Sequence, residues 1–275
     1  MLVAAVKPQT QRGVMENVSE QQHTNYGPPE ARVRRINGDA PKAWLRQGLS
    51  DFLDKPMPSL FYGLVFVVMG YALAGMFENA AHMILALAAG FMLVGPFLAT
   101  GLYDLSRQRE RHEAVSLSHS LVAWRVNPLH IGVFALMLAL VLAFWVRIAA
   151  LIFAVLFASE LPEVTSSITG MFASGAGLRF LIVFVLVGGA IAFLVYCCSA
   201  VAVPMLLDQR VDMVTAVNTS VQAVLKNMGP MLIWAVIIAV LTFLGLVTLF
   251  LGLIVTMPII GHATWHAYRA LVEPA

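Results

Sequence analysis

From Ser59 onward, apolar residues run on where a soluble helix would alternate them with polar ones. A helix rises 1.5 Å per residue, so a hydrocarbon core of about 30 Å needs roughly 20 apolar residues. Runs of that length predict six membrane-spanning helices over 59–77, 82–103, 129–158, 178–206, 229–247 and 249–269. The last two come from one apolar stretch between Pro230 and His266, about twice a single span, which predicts a tight turn near Gly245 to Gly252. The third run is too long for one upright crossing, so its end after Arg147 tilts or emerges. The fold class this predicts is all-α and polytopic.

The segments between the runs repeat. Ala43-Trp44-Leu45 leads through Leu49, Phe52 and Leu53 to Lys55-Pro56. Glu113-Ala114-Val115 leads through Ser118 and Val122 to Asn127-Pro128, and Thr215-Ala216-Val217 through Ser220 and Val224 to Gly229-Pro230. Each is an amphipathic stretch that ends in proline just before a span. Proline suits a first helical turn, where its missing N–H would be unpaired anyway. The pattern predicts three units of surface helix, span, outer turn and span, over about 43–112, 113–214 and 215–275. Each unit also carries a proline, Pro96, Pro204 or Pro258, in the cytoplasmic half of its second span. Within 113–126 the apolar Val115, Leu117, Leu121 and Val122 make only a ragged face.

Residues 1–42 are polar and rich in Gln, Asn, Gly and Pro; too little apolar surface offsets their ordering entropy, which predicts a disordered tail. Residues 1–57 hold no continuous apolar h-region, so the first span is expected to act as its own insertion signal. Charge then sets the orientation. With six spans, 15 of the 17 Lys and Arg fall on one side, in the N-terminal region, the loops after spans two and four, and the tail. Glu78, Glu160 and Glu163 lie in the opposite connections, near Arg147 and Arg179. The positive-inside rule puts both termini in the cytoplasm, and the expected location is a bacterial-type cytoplasmic (inner) membrane.

Composition excludes one class. Hydrophobic residues make up 60% of the 275, charged ones 12%, and mean hydropathy is +0.82. A single soluble core cannot bury that much apolar surface, so lipid covers part of it. Cys197 and Cys198 are adjacent within an apolar run and offer neither a disulfide framework nor a C-x-x-C pair.

Three stretches resemble one family: Pro56-Met57-Pro58-Ser59-Leu60-Phe61-Tyr62-Gly63; Gly101-Leu102-Tyr103-Asp104-Leu105-Ser106-Arg107 with Glu110; and the segment from Pro258 through Gly261-His262-Ala263-Thr264-Trp265-His266 to Tyr268-Arg269. They are similar to the bacterial integral membrane proteins of domain-of-unknown-function family 2189, and the likeness covers roughly residues 42–271. The resemblance implies no catalytic residues. Some members carry a label linking them to cytochrome c oxidase, which implies a role beside that complex.

His262 and His266 stand four residues apart on one helix face. Neutral imidazoles so spaced can bind a metal or approach a haem iron, with His119 or His130 the available third ligand. Trp265, Tyr268 and Arg269 around them read instead as the belt that anchors a helix end among head groups. Arg147 is likewise read as an interfacial anchor that snorkels outward or pairs with Glu160 or Glu163. Asp104, Arg107, Arg109, Glu110, Arg111 and Glu113 mix signs at i, i+3 and i+4, which predicts a solvated, ion-paired helix extending span two. That alternation, without interleaved aromatics, does not make a nucleic-acid surface. No catalytic motif and no mid-span carboxylate is present.

The sequence thus favours a non-enzymatic membrane protein, without a required cofactor, that packs against or helps assemble other membrane subunits. Small residues such as Gly63, Gly70, Ala74 and Gly188-Gly189 permit the close helix approach this needs. Two alternatives stand beside it: a transporter or channel for a small or lipid-like substrate, and a haem- or metal-binding protein using His262 and His266.

Overall fold

The computed structural model describes residues 32–79, 98–157 and 175–273. Their regular structure is helical apart from one antiparallel bridge, Val33 to Val272. Helix α1 (Ala40–Asp54) turns by 106° at Lys55-Pro56 into α2 (Pro56–Asn79). A helix over 98–110 is α3, and the short α4 (Leu117–Ser120) follows with a 3-10 turn at Ala123–Val126. Then come α5 (Pro128–Phe157), α6 (Gly175–Ser199), α7 (Ala202–Asp208), α8 (Met213–Lys226), α9 (Met228–Val247) and α10 (Leu253–Leu271).

The amphipathic readings of the first and third units correspond to α1 and α8. Helix α1 buries Pro41, Trp44, Gly48, Asp51 and Phe52, and α8 buries Ala216, Thr219, Ser220, Ala223 and Val224, both at helical spacing. Asp212 caps α8 by accepting from the Thr215 amide at 2.9 Å. The middle unit differs. Instead of three to four turns over 113–126 there is one capped turn, started by Ser116 accepting from the His119 amide, and then the 3-10 turn. A ragged apolar face gives a longer surface helix no continuous stripe to bury, though Val115, Leu117 and Ala123 pack on the core singly.

Pro204 explains the break between α6 and α7. A proline ring clashes with the carbonyl four residues back, here Ala200, and α6 ends at Ser199. Ser220 of α8 repairs the gap, donating to the Cys197 carbonyl at 2.8 Å and accepting from the Val201 amide at 3.1 Å. The turn expected near Gly245–Gly252 lies at 248–252, where Leu249 and Phe250 adopt left-handed φ of 53° and 66°. Thr248 Oγ1 braces it by accepting from the Gly252 amide at 2.8 Å.

Residues 32–39, inside the stretch expected to be disordered, are pinned. The Arg34 amide donates to the Leu271 carbonyl at 2.8 Å, and Asn227 accepts from the Ile36 amide and donates to the Arg34 carbonyl, both at 2.9 Å. Long-range partners from Asn227, at the junction of α8 and α9, and from the C-terminal residues supply what local composition lacks. Residues 1–31 lie outside the described residues, as do most of the expected second span and of the outer connection between the third and fourth spans.

Helix α10 is the hub, packed against α1, α2 and α9. Its contacts are close: a Cβ on Gly63 would fall on the Ile254 carbonyl, and one on Gly48 would fall on the Ala263 backbone. Three helices among the described residues are long and apolar enough to cross a membrane: Pro128–Phe157, Gly177–Asp208 (α6 and α7 as one span) and Met228–Val247. The bent pair α1–α2 makes a fourth if counted as one span. Helix α10 stands outside that group, since its second half carries His262, His266 and Arg269.

Candidate functional site

Where α1, α2, α3, α7 and α10 converge, polar side chains form a cluster organised by carboxylates. Asp51 projects from the buried face of α1, with 3% of its side chain exposed. Its Oδ2 accepts from Ser106 Oγ at 2.6 Å and from His266 Nε2 at 2.8 Å, and its Oδ1 pairs with Arg109. Burial pushes the Asp51 carboxyl up, but the hydrogen bonds from His266 and Ser106 outweigh it and hold it below the usual carboxylate range.

His262 extends this node. Its Nδ1 lies 2.7 Å from Ser106 Oγ and its Nε2 2.8 Å from Ser59 Oγ. Ser106 has one hydroxyl hydrogen, and the short contact to Asp51 uses it, so Nδ1 is the donor to Ser106. A neutral ring then accepts at Nε2 from Ser59. A charged ring would donate there instead, with the Ser59 hydroxyl turned to the Lys55 carbonyl 3.3 Å away. Asp51, Ser106, His262 and Ser59 thus form one relay from α1 through α3 and α10 to α2.

Two further nodes flank it. Asp104, fully buried, accepts from Arg107 at 2.5 Å and Gln108 at 2.6 Å and contacts His119 Nδ1 at 2.7 Å. Gln108 in turn accepts from the Ser116 amide at 2.7 Å, which locks α3 to α4. Glu110 accepts from Trp265 Nε1 at 2.9 Å and Arg269 Nε at 3.0 Å. Asp208 accepts from Tyr268 at 2.9 Å and lies 3.4 Å from Arg269 Nη1 and 3.6 Å from Arg111. The mixed-sign segment expected to be solvated is therefore buried over Gly101–Gln108, because α7 and α10 cover it.

The geometry limits the chemistry. The carboxylate reaches His262 only through Ser106, so no Ser–His–Asp triad forms. The void beside His262, lined by Asp51, Ser59, Leu105 and Arg109, measures about 10 Å³, room for one water and no substrate. The relay therefore acts as a latch between helices.

The residues singled out in the sequence are distributed as follows. His262 spends both nitrogens on serines and His266 turns to Asp51, so the pair does not converge on a common point. His119 belongs to the Asp104 node. Among the described residues no group of three or more His, Cys, Asp or Glu is disposed to hold a metal ion. Trp265 and Tyr268 are buried and hydrogen-bonded to Glu110 and Asp208, turned inward where a belt would face head groups. Arg269 bridges both acids. Arg147 lies exposed on α5. Sequence reasoning missed Asp51, Ser59, Ser106 and Asp208. Asp51 was detectable, as a carboxylate on the same helical face as Trp44, Gly48 and Phe52.

Asp104, Ser106 and the arginines of α3 fall within a stretch of the chain with known relatives. Residues 84–208 match the family described as Predicted integral membrane protein (DUF2189). The DUF2189 match includes the Gly101–Arg107 motif and α5 to α7, whereas Asp51, Ser59, His262 and His266 lie outside it. It fits the apolar helices Pro128–Phe157 and Gly177–Asp208, and the chain is an integral membrane protein. No curated protein and no solved structure matches the chain.

Proposed function

We propose that this chain is a six-span protein of a cytoplasmic inner membrane, with both termini cytoplasmic, that acts without catalysis as an accessory or assembly component of a larger membrane complex. The observation that carries the accessory role is the α5–α6 hairpin. Only 6% of the most apolar stretch of each of its two spans is buried within the chain, leaving their length to lipid or to other membrane helices. Between α5 and α6 lies an apolar groove of about 540 Å³, with Trp145 seated on Gly188 and open space over Gly189. Small residues on an exposed face allow a partner helix to approach closely.

The orientation draws on a separate feature. Asp51, Arg109, Arg111, Asp208 and Arg269, which charge counting puts on one side, are joined by ion pairs at one end of the bundle. The near-right-angle bend at Lys55-Pro56 supports a surface helix feeding a span in the first of the three expected units. A respiratory cytochrome c oxidase is the complex we name, on the strength of the sequence resemblance.

Purification of the full chain in mild detergent, with identification of co-purifying polypeptides, tests the reading. We expect a fixed set of membrane subunits, lost when Gly189→Phe fills the open side of the groove while the chain still inserts. A monomer that moves solute in proteoliposomes would overturn it in favour of the transport alternative.

A further inference from the structure

Beside the latch, between α3, α7 and α10, lies a polar cavity of about 590 Å³. Four guanidiniums line it: Arg107, Arg111, Arg210 and Arg269. Helix C-termini converge here, and their partial negative charge by itself attracts cations, so the question is whether every arginine is consumed within the protein. Arg107 is, by Asp104 and the Leu207 carbonyl. Arg269 is, by Glu110 and Asp208. Arg111 shares Asp208 at 3.6 Å and is half-exposed. Arg210 has no partner among the described residues. The wall thus carries four guanidiniums against two carboxylates, Glu110 and Asp208, with Arg107 answered by Asp104 behind it and Glu110 already held by Trp265 and Arg269.

A second observation is independent of charge. Gln209 donates its amide N–H to Tyr268, but its Oε1 is shielded from solvent and has no hydrogen-bond partner. A buried acceptor left unpaired is destabilising, and a turn of the Gln209 side chain, which lines the cavity, would present it to a donor bound there. One ligand chemistry meets both features: a phosphate for Arg210 and Arg111, carrying a hydroxyl or amine for Gln209 Oε1. Guanidinium binds phosphate in a fork that fixes orientation as well as charge.

We infer that this cavity is a binding site for a phosphate monoester or diester bearing a neighbouring hydrogen-bond donor. Two sources carry that chemistry, the head group of an anionic phospholipid and a soluble phosphate ester. The site uses none of the α5–α6 groove, so it stands or falls independently of a partner polypeptide.

The test measures thermal unfolding of the full chain in detergent while three probes are titrated: micelles doped with phosphatidylglycerol, micelles doped with phosphatidylcholine, and soluble glycerol 3-phosphate. Saturable stabilisation by phosphatidylglycerol but not phosphatidylcholine assigns a lipid; stabilisation by glycerol 3-phosphate assigns a soluble ester. In either case Arg210→Gln combined with Arg111→Gln should weaken apparent affinity by at least about tenfold. Both side chains are exposed, and the variant gives up only the 3.6 Å pair of Arg111 with Asp208, which keeps Tyr268 and Arg269, so it is expected to fold. Arg46→Gln on α1, the same charge change elsewhere, should leave affinity unaltered. No stabilisation by any probe, or equal affinity in the double variant, would overturn the inference.

Discussion

Asp51 decides the latch at the scale of one side chain. Its carboxylate takes two hydrogen bonds and an ion pair from three other residues. Asp51→Asn removes the charge those partners face. Arg109, 36% exposed, can rehydrate, so we expect a loss of about 1–3 kcal/mol, read from the unfolding midpoint in detergent. The pH dependence follows from the same contacts. The folded carboxyl is held below its unfolded value of about 4, so its contribution is fully present above that pH and is lost as the pH falls through the folded value. Wild type should therefore lose stability below about pH 4 more steeply than Asp51→Asn; parallel curves would remove Asp51 from the latch. This residue also shows why the site was partly hidden. The i+4 pairing of His262 and His266 is visible in sequence, but the partners that turn them from a metal pair into a latch lie 156 to 215 positions away.

At the scale of helices, close approach to α10 is set by two glycines. A Cβ on Gly63 would lie 2.1 Å from the Ile254 carbonyl oxygen, and one on Gly48 2.6 Å from the Ala263 amide nitrogen. Backbone cannot swing aside as a side chain can, so Gly63→Ala and Gly48→Ala should each cost about 1–3 kcal/mol. Gly229→Ala, with open space where the Cβ would go, should cost nothing measurable by the same unfolding assay. Local pattern was a good guide wherever one face of a helix packs and the other does not, as in α1 and α8. It misjudged 113–126, whose ragged apolar face gives only one α turn and a 3-10 turn, and 32–39, where the partners are Asn227 and the C-terminal residues. The solvated reading of α3 failed for a related reason. Mixed charge looks the same whether water or a facing helix answers it, and here Arg269, Trp265 and Asp51 carry the answering contacts.

On the scale of the molecule, apolar length and charge asymmetry identify a membrane protein before any contact is known. The structure adds a polar end knit by α10 and an apolar hairpin, α5–α6, left largely uncovered. Both make sense if the knit end faces the cytoplasm and the hairpin faces lipid and partner helices. Cysteine accessibility in intact cells tests that arrangement most directly. With Cys197 and Cys198 replaced by Ser, single cysteines are placed at Glu78, Glu163 and Glu113 and exposed to a membrane-impermeant maleimide. The account predicts that Glu78→Cys and Glu163→Cys react from outside, while Glu113→Cys, beside the latch, reacts only after the membrane is opened; reaction of Glu113→Cys from outside would contradict it.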